Sequence, residues 1–180
     1  MLKFDIIESE EDKNKVNRSN LMKNLTRSCF DFSFSKGVNY IFVEGPEIDF
    51  FGGAILIKKE LYEIQEDIRL LVTDMPLQGL IWECSQVFHP KALTKKAEEE
   101  GALYEFYRGL YEKLVEFGHR KGIGFIIMKL TPEIYCSTIK WGKWPYVVEL
   151  KPENSHDPLF HGVLPLTGRH YEAYQRTWKV

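Results

Sequence analysis

The segment LIWECSQVFHP, residues 80–90, is apolar at both ends and carries one carboxylate, Glu83, in its middle. Its β-forming residues and the Pro90 that ends it predict a strand over Leu80–Phe88. A carboxylate inside a buried strand is costly unless it is paired, hydrogen-bonded or neutralised. The fold must therefore give Glu83 a reason to be there. By strict alternation Trp82, Cys84 and Gln86 face one way, and Ile81, Glu83 and Ser85 the other. Glu83 and Ser85 are then expected to share a face. The plain alternative is that Glu83 points outward from a sheet edge or pairs with a lysine.

Working outward, Val38–Val43 (VNYIFV) reads as a strand, Gly45-Pro46 as a turn, and Gly53–Ile57, extended by Lys58, as a second strand. Ile68–Val72 reads as a short third strand, which makes Leu80–Phe88 the fourth. Before them, Val16, Leu21, Met22 and Leu25 fall at near-helical spacing and predict a helix over residues 10–28. After the fourth strand, Leu103, Phe106, Tyr107, Leu110, Leu114 and Phe117 form one apolar stripe of a helix over residues 97–118. Glu98, Glu99 and Glu100 suit its positive end, His119, Arg120 and Lys121 its negative end, and Gly122 a C-cap. Ile123–Leu130 is a strand. Thr131 and Pro132 supply the N-cap and first position of a short helix to Lys140. Tyr146–Leu150 and His161–Leu166 are strands, and residues 168–176 form a helix or an irregular tail. A run of strands followed by a strand–helix–strand unit predicts a single α/β domain over residues 1–180. Its sheet is mixed, mostly antiparallel, and flanked by helices.

The totals narrow the function. The 180 residues are 44% hydrophobic and 28% charged, ordinary for a globular protein with a real core. A formal charge of −2 gives no reason to expect nucleic acid. Lys140-Trp141-Gly142-Lys143-Trp144-Pro145 mixes bases with aromatics, but over six residues only. Three cysteines, Cys29, Cys84 and Cys136, without Cys-x-x-Cys spacing, argue against a disulfide framework or a zinc site and for a reducing compartment. The start, MLKFDIIESEEDKNK, turns acidic too soon for a signal peptide, and no apolar run approaches the ~20 residues that span a bilayer. A cytoplasmic protein without membrane insertion is expected. The five histidines do not cluster at metal-ligand spacing. His156 and His161 fall near Asp157 in a polar stretch, and no metal is expected.

With these elements in place, the chain resembles the acyl-homoserine-lactone (autoinducer) synthases, acyltransferases with the fold of the GCN5-related N-acetyltransferases (GNAT). Trp82-Glu83-Cys84-Ser85-Gln86-Val87-Phe88 is similar to that family's strand motif of Glu, any residue, Ser, Arg, Phe. The long helix, Ile123–Leu130 and Ile139-Lys140-Trp141-Gly142-Lys143-Trp144 follow in the family's order, over about residues 36–166. The chain departs from the family at three places. Gln86 stands where the family has Arg. Ser35–Tyr40 shows no pair of aspartates. Gly53–Ile57 lacks the family's strand arginine. Those groups organise the S-adenosylmethionine side of the family's site, so their absence counts against that acceptor here.

The resemblance implies acyl transfer from acyl-coenzyme A or an acyl carrier protein to a small-molecule amine. Glu83 would be the base and Tyr135 the acid for the leaving thiolate. Ser85 and Trp82 would contact substrate, as would Arg27 and Phe30, which echo the family's N-terminal Arg and Phe at a spacing one residue short. Phe88, Lys91, Lys95 and Lys96, just before the long helix, would meet the donor's phosphopantetheine arm or an acidic carrier protein. Other readings stay open: an ordinary acetyl-coenzyme A N-acetyltransferase, or a non-catalytic relative that binds a ligand or partner in the same cleft. Cys84, between bulky strand neighbours, reads as an inert thiol. His119-Arg120-Lys121-Gly122-Ile123-Gly124 looks like a phosphate loop but follows a helix and precedes a strand. That is the wrong polarity for free N–H groups to meet phosphate. Tyr104, Phe106, Tyr107 and Tyr111 read as core first and acyl pocket second.

Overall fold

Strands hydrogen-bond side by side in the order β1-β2-β3-β4-β5-β7-β6, in one seven-stranded sheet. They are β1 (Lys3–Ile7), β2 (Val38–Glu44), β3 (Phe51–Lys59), β4 (Ile81–Phe88), β5 (Phe125–Leu130), β6 (Val148–Leu150) and β7 (Phe160–Pro165). Helices are α1 (Ala102–Lys121), α2 (Pro132–Lys140) and α3 (Gly168–Thr177), with a 3-10 turn at Leu61–Glu63. The computed structural model describes residues 2–9, 11, 37–44, 51–64, 66, 69, 81–88, 101–150, 159–166 and 168–177. The helix expected over residues 10–28 lies outside them apart from Glu11. So does the strand expected at Ile68–Val72, except Arg69, which is helical rather than extended.

Every neighbouring pair is antiparallel except β4–β5. That pair is parallel because α1 carries the chain from one end of the sheet back to the other, the crossover a parallel pair requires. The mixed, mostly antiparallel sheet with flanking helices is the one the sequence predicts. β1 is an addition: KFDII is too short and too charged to stand out by periodicity, yet it pairs along β2 from Lys3↔Glu44 to Ile7↔Tyr40.

One face of the sheet packs under the helices. Trp82, Cys84 and Val87 of β4 meet Ile126, Met128 and Leu130 of β5 there, closed by the apolar stripe of α1. That stripe is the expected one, with Leu103, Phe106, Tyr107, Leu110, Leu114 and Phe117 all buried. The helix starts later than predicted, at Ala102, after Gly101 in the left-handed region (φ 72°), and runs on to Lys121. Glu98, Glu99 and Glu100 lie outside the described residues. Gly122 (φ 67°) caps the helix, and the Ile123 N–H donates back to the Gly118 carbonyl at 2.9 Å. His119–Gly124 is thus a helix terminus and not a phosphate loop.

Buried polar edges tie the later elements to α1. The Tyr111 hydroxyl donates to the Pro165 carbonyl at 2.6 Å, and the Trp144 indole N–H to the Tyr107 carbonyl at 2.9 Å. Thr131 caps α2 by accepting from the Ile134 N–H, with Pro132 at the first helical position, as predicted. The opposite face carries a smaller cluster, Ile64, Ile81, Ile127 and Val163. Glu83 belongs to this second face.

Candidate functional site

Register places Glu83 in a transverse row of branched aliphatic residues. Val38 pairs with Ile57, Ile57 with Glu83, Glu83 with Ile127, Ile127 with Val163 and Val163 with Val148. One carboxylate thus stands in the middle of a six-strand apolar row. It lies on a central strand, hydrogen-bonded on both sides, and not at a sheet edge. Glu83 is half-buried and has no hydrogen-bond or ion-pair partner among the described residues. Glu83 is thus not at a sheet edge, and no lysine among the described residues pairs with it.

Immediately after Glu83 the strand changes. Ile55 pairs with Gln86 but Leu56 pairs with Cys84, so Ser85 is an extra residue, a bulge in β4. A bulge leaves its extra residue out of the ladder and re-aims the side chains beyond it. Strict alternation therefore fails here. Trp82 and Cys84 keep to the helix face, and Val87, three residues on rather than two, rejoins them. Gln86 is turned onto the Glu83 face, against the expected alternation, with Ser85 at the bulge itself. Both are half-buried.

On its other side β4 pairs with β5 at only two rungs, Glu83↔Ile127 and Cys84↔Met128. Beyond them β4 continues to Phe88 and β5 to Leu130 without pairing. The two strands share no further rung there, so Ser85–Phe88 have no β5 partner in the register. Glu83 is the first of the two β4 residues that join β5, two positions before Ser85.

The other sequence-derived candidates are distributed as follows. Trp82 is 4% exposed on the helix face, edge-on to Phe117 at 4.9 Å between ring centroids, and so points away from Glu83. Phe88 ends β4 opposite Gly53. Tyr135, in the first turns of α2, is half-buried, stacked on Phe160 at 3.6 Å and close to Tyr146 at 5.6 Å. Cys84 is fully buried, burial pushes its thiol well above the usual range, and its Sγ lies 3.6 Å from the Gln86 carbonyl. A thiol that holds its proton so firmly is a core group and not a nucleophile. Tyr107 and Tyr111 are likewise held protonated by burial and are core residues. Arg27, Phe30, Lys91, Lys95 and Lys96 lie outside the described residues.

Two residues to which the sequence assigned no catalytic or binding role share the Glu83 face. Lys129 follows Ile127 by two positions on β5 and pairs with His161 on β7. His161 is not in a loop but inside the sheet, 9% exposed. The signal was available for Lys129, a charge inside the apolar run FIIMKL, the same feature that singled out Glu83. A separate cavity of about 590 Å³ lies between Phe4 and the outer face of α1. Its charged lining is already paired, Arg108 with Glu112 at 3.1 Å and Lys113 with Glu116 at 2.6 Å. Among the described residues no group of three or more His, Cys, Asp and Glu could hold a metal, and no helix is long and apolar enough to cross a membrane.

No protein-family model matches the chain, and no curated protein matches it at a significant level. Solved structures do. The chain is similar to MesI, a CoA-dependent acyl-homoserine lactone synthase, with a TM-score of 0.59 and 14% identity over 99% of this chain and 96% of that one. It is similar to FeeM, an N-acyl amino acid synthase from uncultured soil microbes, with a TM-score of 0.54 and 10% identity over 92% and 91%. It is also similar to BjaI, a CoA-dependent acyl-homoserine lactone synthase solved with MTA, at 0.50 and 17% over 82% and 67%. At these identities the likeness is one of fold. The chain has the GNAT-like fold of the autoinducer synthases.

Proposed function

We propose that the protein is an acyltransferase that moves an acyl group from acyl-coenzyme A to a small-molecule amine. The observation that carries this reading is the Glu83 carboxylate, without a hydrogen-bond or ion-pair partner among the described residues, next to the stretch where β4 has no β5 register partner and within an otherwise aliphatic row. Acyl transfer needs a base for the ammonium proton, donors for the carbonyl oxyanion and a proton for the leaving thiolate. Glu83 meets the first need, since a carboxylate with no internal partner is available to an incoming ammonium. Backbone N–H groups beyond the Ser85 bulge, where β4 has no β5 register partner, would meet the second. An extended donor arm with amide groups, such as that of coenzyme A, suits the open strand edge because it replaces missing ladder hydrogen bonds. The bound amine loses its proton to Glu83, and its nitrogen attacks the thioester carbonyl. A C–N bond forms and the C–S bond breaks; the thiolate takes a proton from Tyr135, and the second proton shed by the new amide nitrogen passes through solvent to restore the Tyr135 hydroxyl.

Within this reading Ser85 and Gln86 line the acceptor side, while Trp82 takes no direct part. Two of the similar structures, MesI and BjaI, are CoA-dependent synthases, which supports coenzyme A as the carrier, with an acyl carrier protein as the second donor to test. Arg27, Phe30, Phe88, Lys91, Lys95 and Lys96 remain donor and acceptor contacts proposed from sequence. Cys136, an exposed free thiol, suits a reducing location such as the cytoplasm. The test is mass-spectrometric detection of N-acylated product from a matrix of acyl-coenzyme A donors and amines. Product with release of free coenzyme A is expected. Neither product nor a ligand-induced rise in Tm with any donor would overturn the assignment.

A further inference from the structure

Resting on that reading, we propose that Thr138 and Phe160 are positioning residues for Tyr135, forming a bracket that holds its hydroxyl where the leaving thiolate forms. One residue, Thr131, separates β5 from α2, so α2 leaves the sheet at the end of β5 that lies beyond its two rungs with β4. Tyr135 packs there with its ring stacked on Phe160, 3.6 Å between centroids and 18° between planes. Phe160 is 2% exposed and pairs with Leu130, the last residue of β5. Its seat is built into β7: a Cβ on Gly162 would lie 2.7 Å from the Phe160 ring and 3.1 Å from the Tyr146 ring. Tyr146 supplies a third ring, 5.6 Å from Tyr135 and 5.5 Å from Phe160.

Thr138, one turn after Tyr135 on α2, is fully buried, and its hydroxyl decides how this cluster is wired. It donates its single proton to the Tyr135 carbonyl at 2.7 Å. The 3.1 Å contact between Thr138 Oγ1 and the Tyr146 hydroxyl must then have Tyr146 as donor. The Thr138 carbonyl in turn accepts from the Gly142 and Trp144 N–H groups at 3.1 and 3.2 Å. Thr138 therefore ties the chain that follows α2 back onto the turn that carries Tyr135. Tyr146 has committed its proton to Thr138 and acts as a brace rather than as a second acid. A displacement of ~1 Å in a reacting group can cost ~10²-fold in rate, so holding Tyr135 by ring and backbone at once bears on the proton step and not only on stability.

The test compares two thioesters of the same acyl group: acyl-coenzyme A, which must expel a basic alkyl thiolate, and an S-aryl thioester. A thiolate of low pKa leaves more readily and needs no acid. Tyr135→Phe should lower kcat/KM for acyl-coenzyme A by about 10²-fold and for the aryl thioester by less than about threefold. Thr138→Val keeps the buried shape and loses both hydroxyl bonds. It should lower the acyl-coenzyme A value about tenfold and the aryl value again by less than about threefold, with Thr138→Ser restoring most of the loss. Phe160→Leu should show the same selectivity. Added to Tyr135→Phe, Thr138→Val should cost nothing further, the mark of a residue that acts through Tyr135. Proton chemical shifts of the Tyr135 ring give a readout that needs no turnover. Stacking on Phe160 moves them upfield, and Thr138→Val should reduce that displacement. Selectivity in Tyr135→Phe but in neither Thr138→Val nor Phe160→Leu overturns the bracket and keeps the acid. Equal loss on both thioesters in those two variants also overturns it, since packing damage alone does that. No selectivity in Tyr135→Phe removes the acid from the reading, and the bracket falls with it. If the wild-type chain transfers no acyl group, the acyltransferase reading fails by itself and the ring shifts decide the bracket. An unshifted Tyr135 ring then overturns it, and a displacement lost in Thr138→Val upholds it.

Discussion

Glu83 and Ile127 face each other across the parallel β4–β5 pair, one rung before the last at which those strands are joined. The carboxylate therefore sits on the two-rung junction of these strands, beside the stretch where β4 runs on without a β5 register partner. Its register neighbours on either side, Ile57 and Ile127, are aliphatic, and the side chain is half-buried. A position that serves reactivity in this way should be a poor one for stability.

Replacing Glu83 by Ile should stabilise the fold while abolishing transfer. Removing an unpartnered carboxylate from an apolar row is worth about 1 kcal/mol, or ~2–4 °C in Tm for a chain of this size. Calorimetry on the two proteins decides it. A lower Tm would mean that Glu83 holds a structural contact.

Gly53 on β3 has no room for a side chain. Its φ is 154°, and an added Cβ would lie 2.0 Å from the Ile41 carbonyl oxygen. Since that neighbour is backbone, Gly53→Ala should cost ~3 kcal/mol or more. Urea unfolding measures the loss, and a cost under ~1 kcal/mol would show that β2 and β3 can part without penalty.

Alkaline pH should unfold the protein cooperatively. Burial raises the Cys84 thiol and the Tyr107 and Tyr111 hydroxyls above their unfolded values, so the native chain holds these protons more tightly than the unfolded one. Their contribution is fully present below the unfolded values of ~8.5 for Cys and ~10 for Tyr, and is lost as pH climbs beyond them. Tyrosinate absorbance should show exposed tyrosines titrating first, then a steep step that coincides with loss of circular dichroism. A single smooth titration with structure retained would contradict the burial of Tyr107 and Tyr111.

Cys84 should resist alkylation in the native state while Cys136, exposed on α2, reacts. Peptide mapping after brief iodoacetamide treatment distinguishes them. Cys84→Ala should leave transfer rates within about a factor of three, because no covalent step passes through this thiol. A loss of a hundredfold or more would make it a catalytic residue.

Much of this was legible in the chain. Val38–Glu44, Ile81–Phe88 and the α1 stripe follow from periodicity, which survives because each element buries one face. The Thr131-Pro132 start and the Gly122 stop of helices follow from capping chemistry, which is local. The exceptions have non-local causes. The Ser85 bulge is one residue wide, so alternation placed Gln86 on the wrong face. β1 is held by pairing with a strand more than thirty residues away, not by its own pattern. Lys129 and His161 meet only because β5 and β7 pair in register, which no spacing along the chain reveals.

The most direct measurement is single-turnover acyl transfer by Glu83→Gln beside the wild type, at saturating acyl-coenzyme A, with donor affinity measured in parallel. The variant keeps shape and loses the base. The account predicts a fall of about 10²- to 10⁴-fold in transfer with donor affinity unchanged within a few-fold. Transfer within about threefold of wild type would contradict it, and would leave Glu83 a tolerated charge in an aliphatic row.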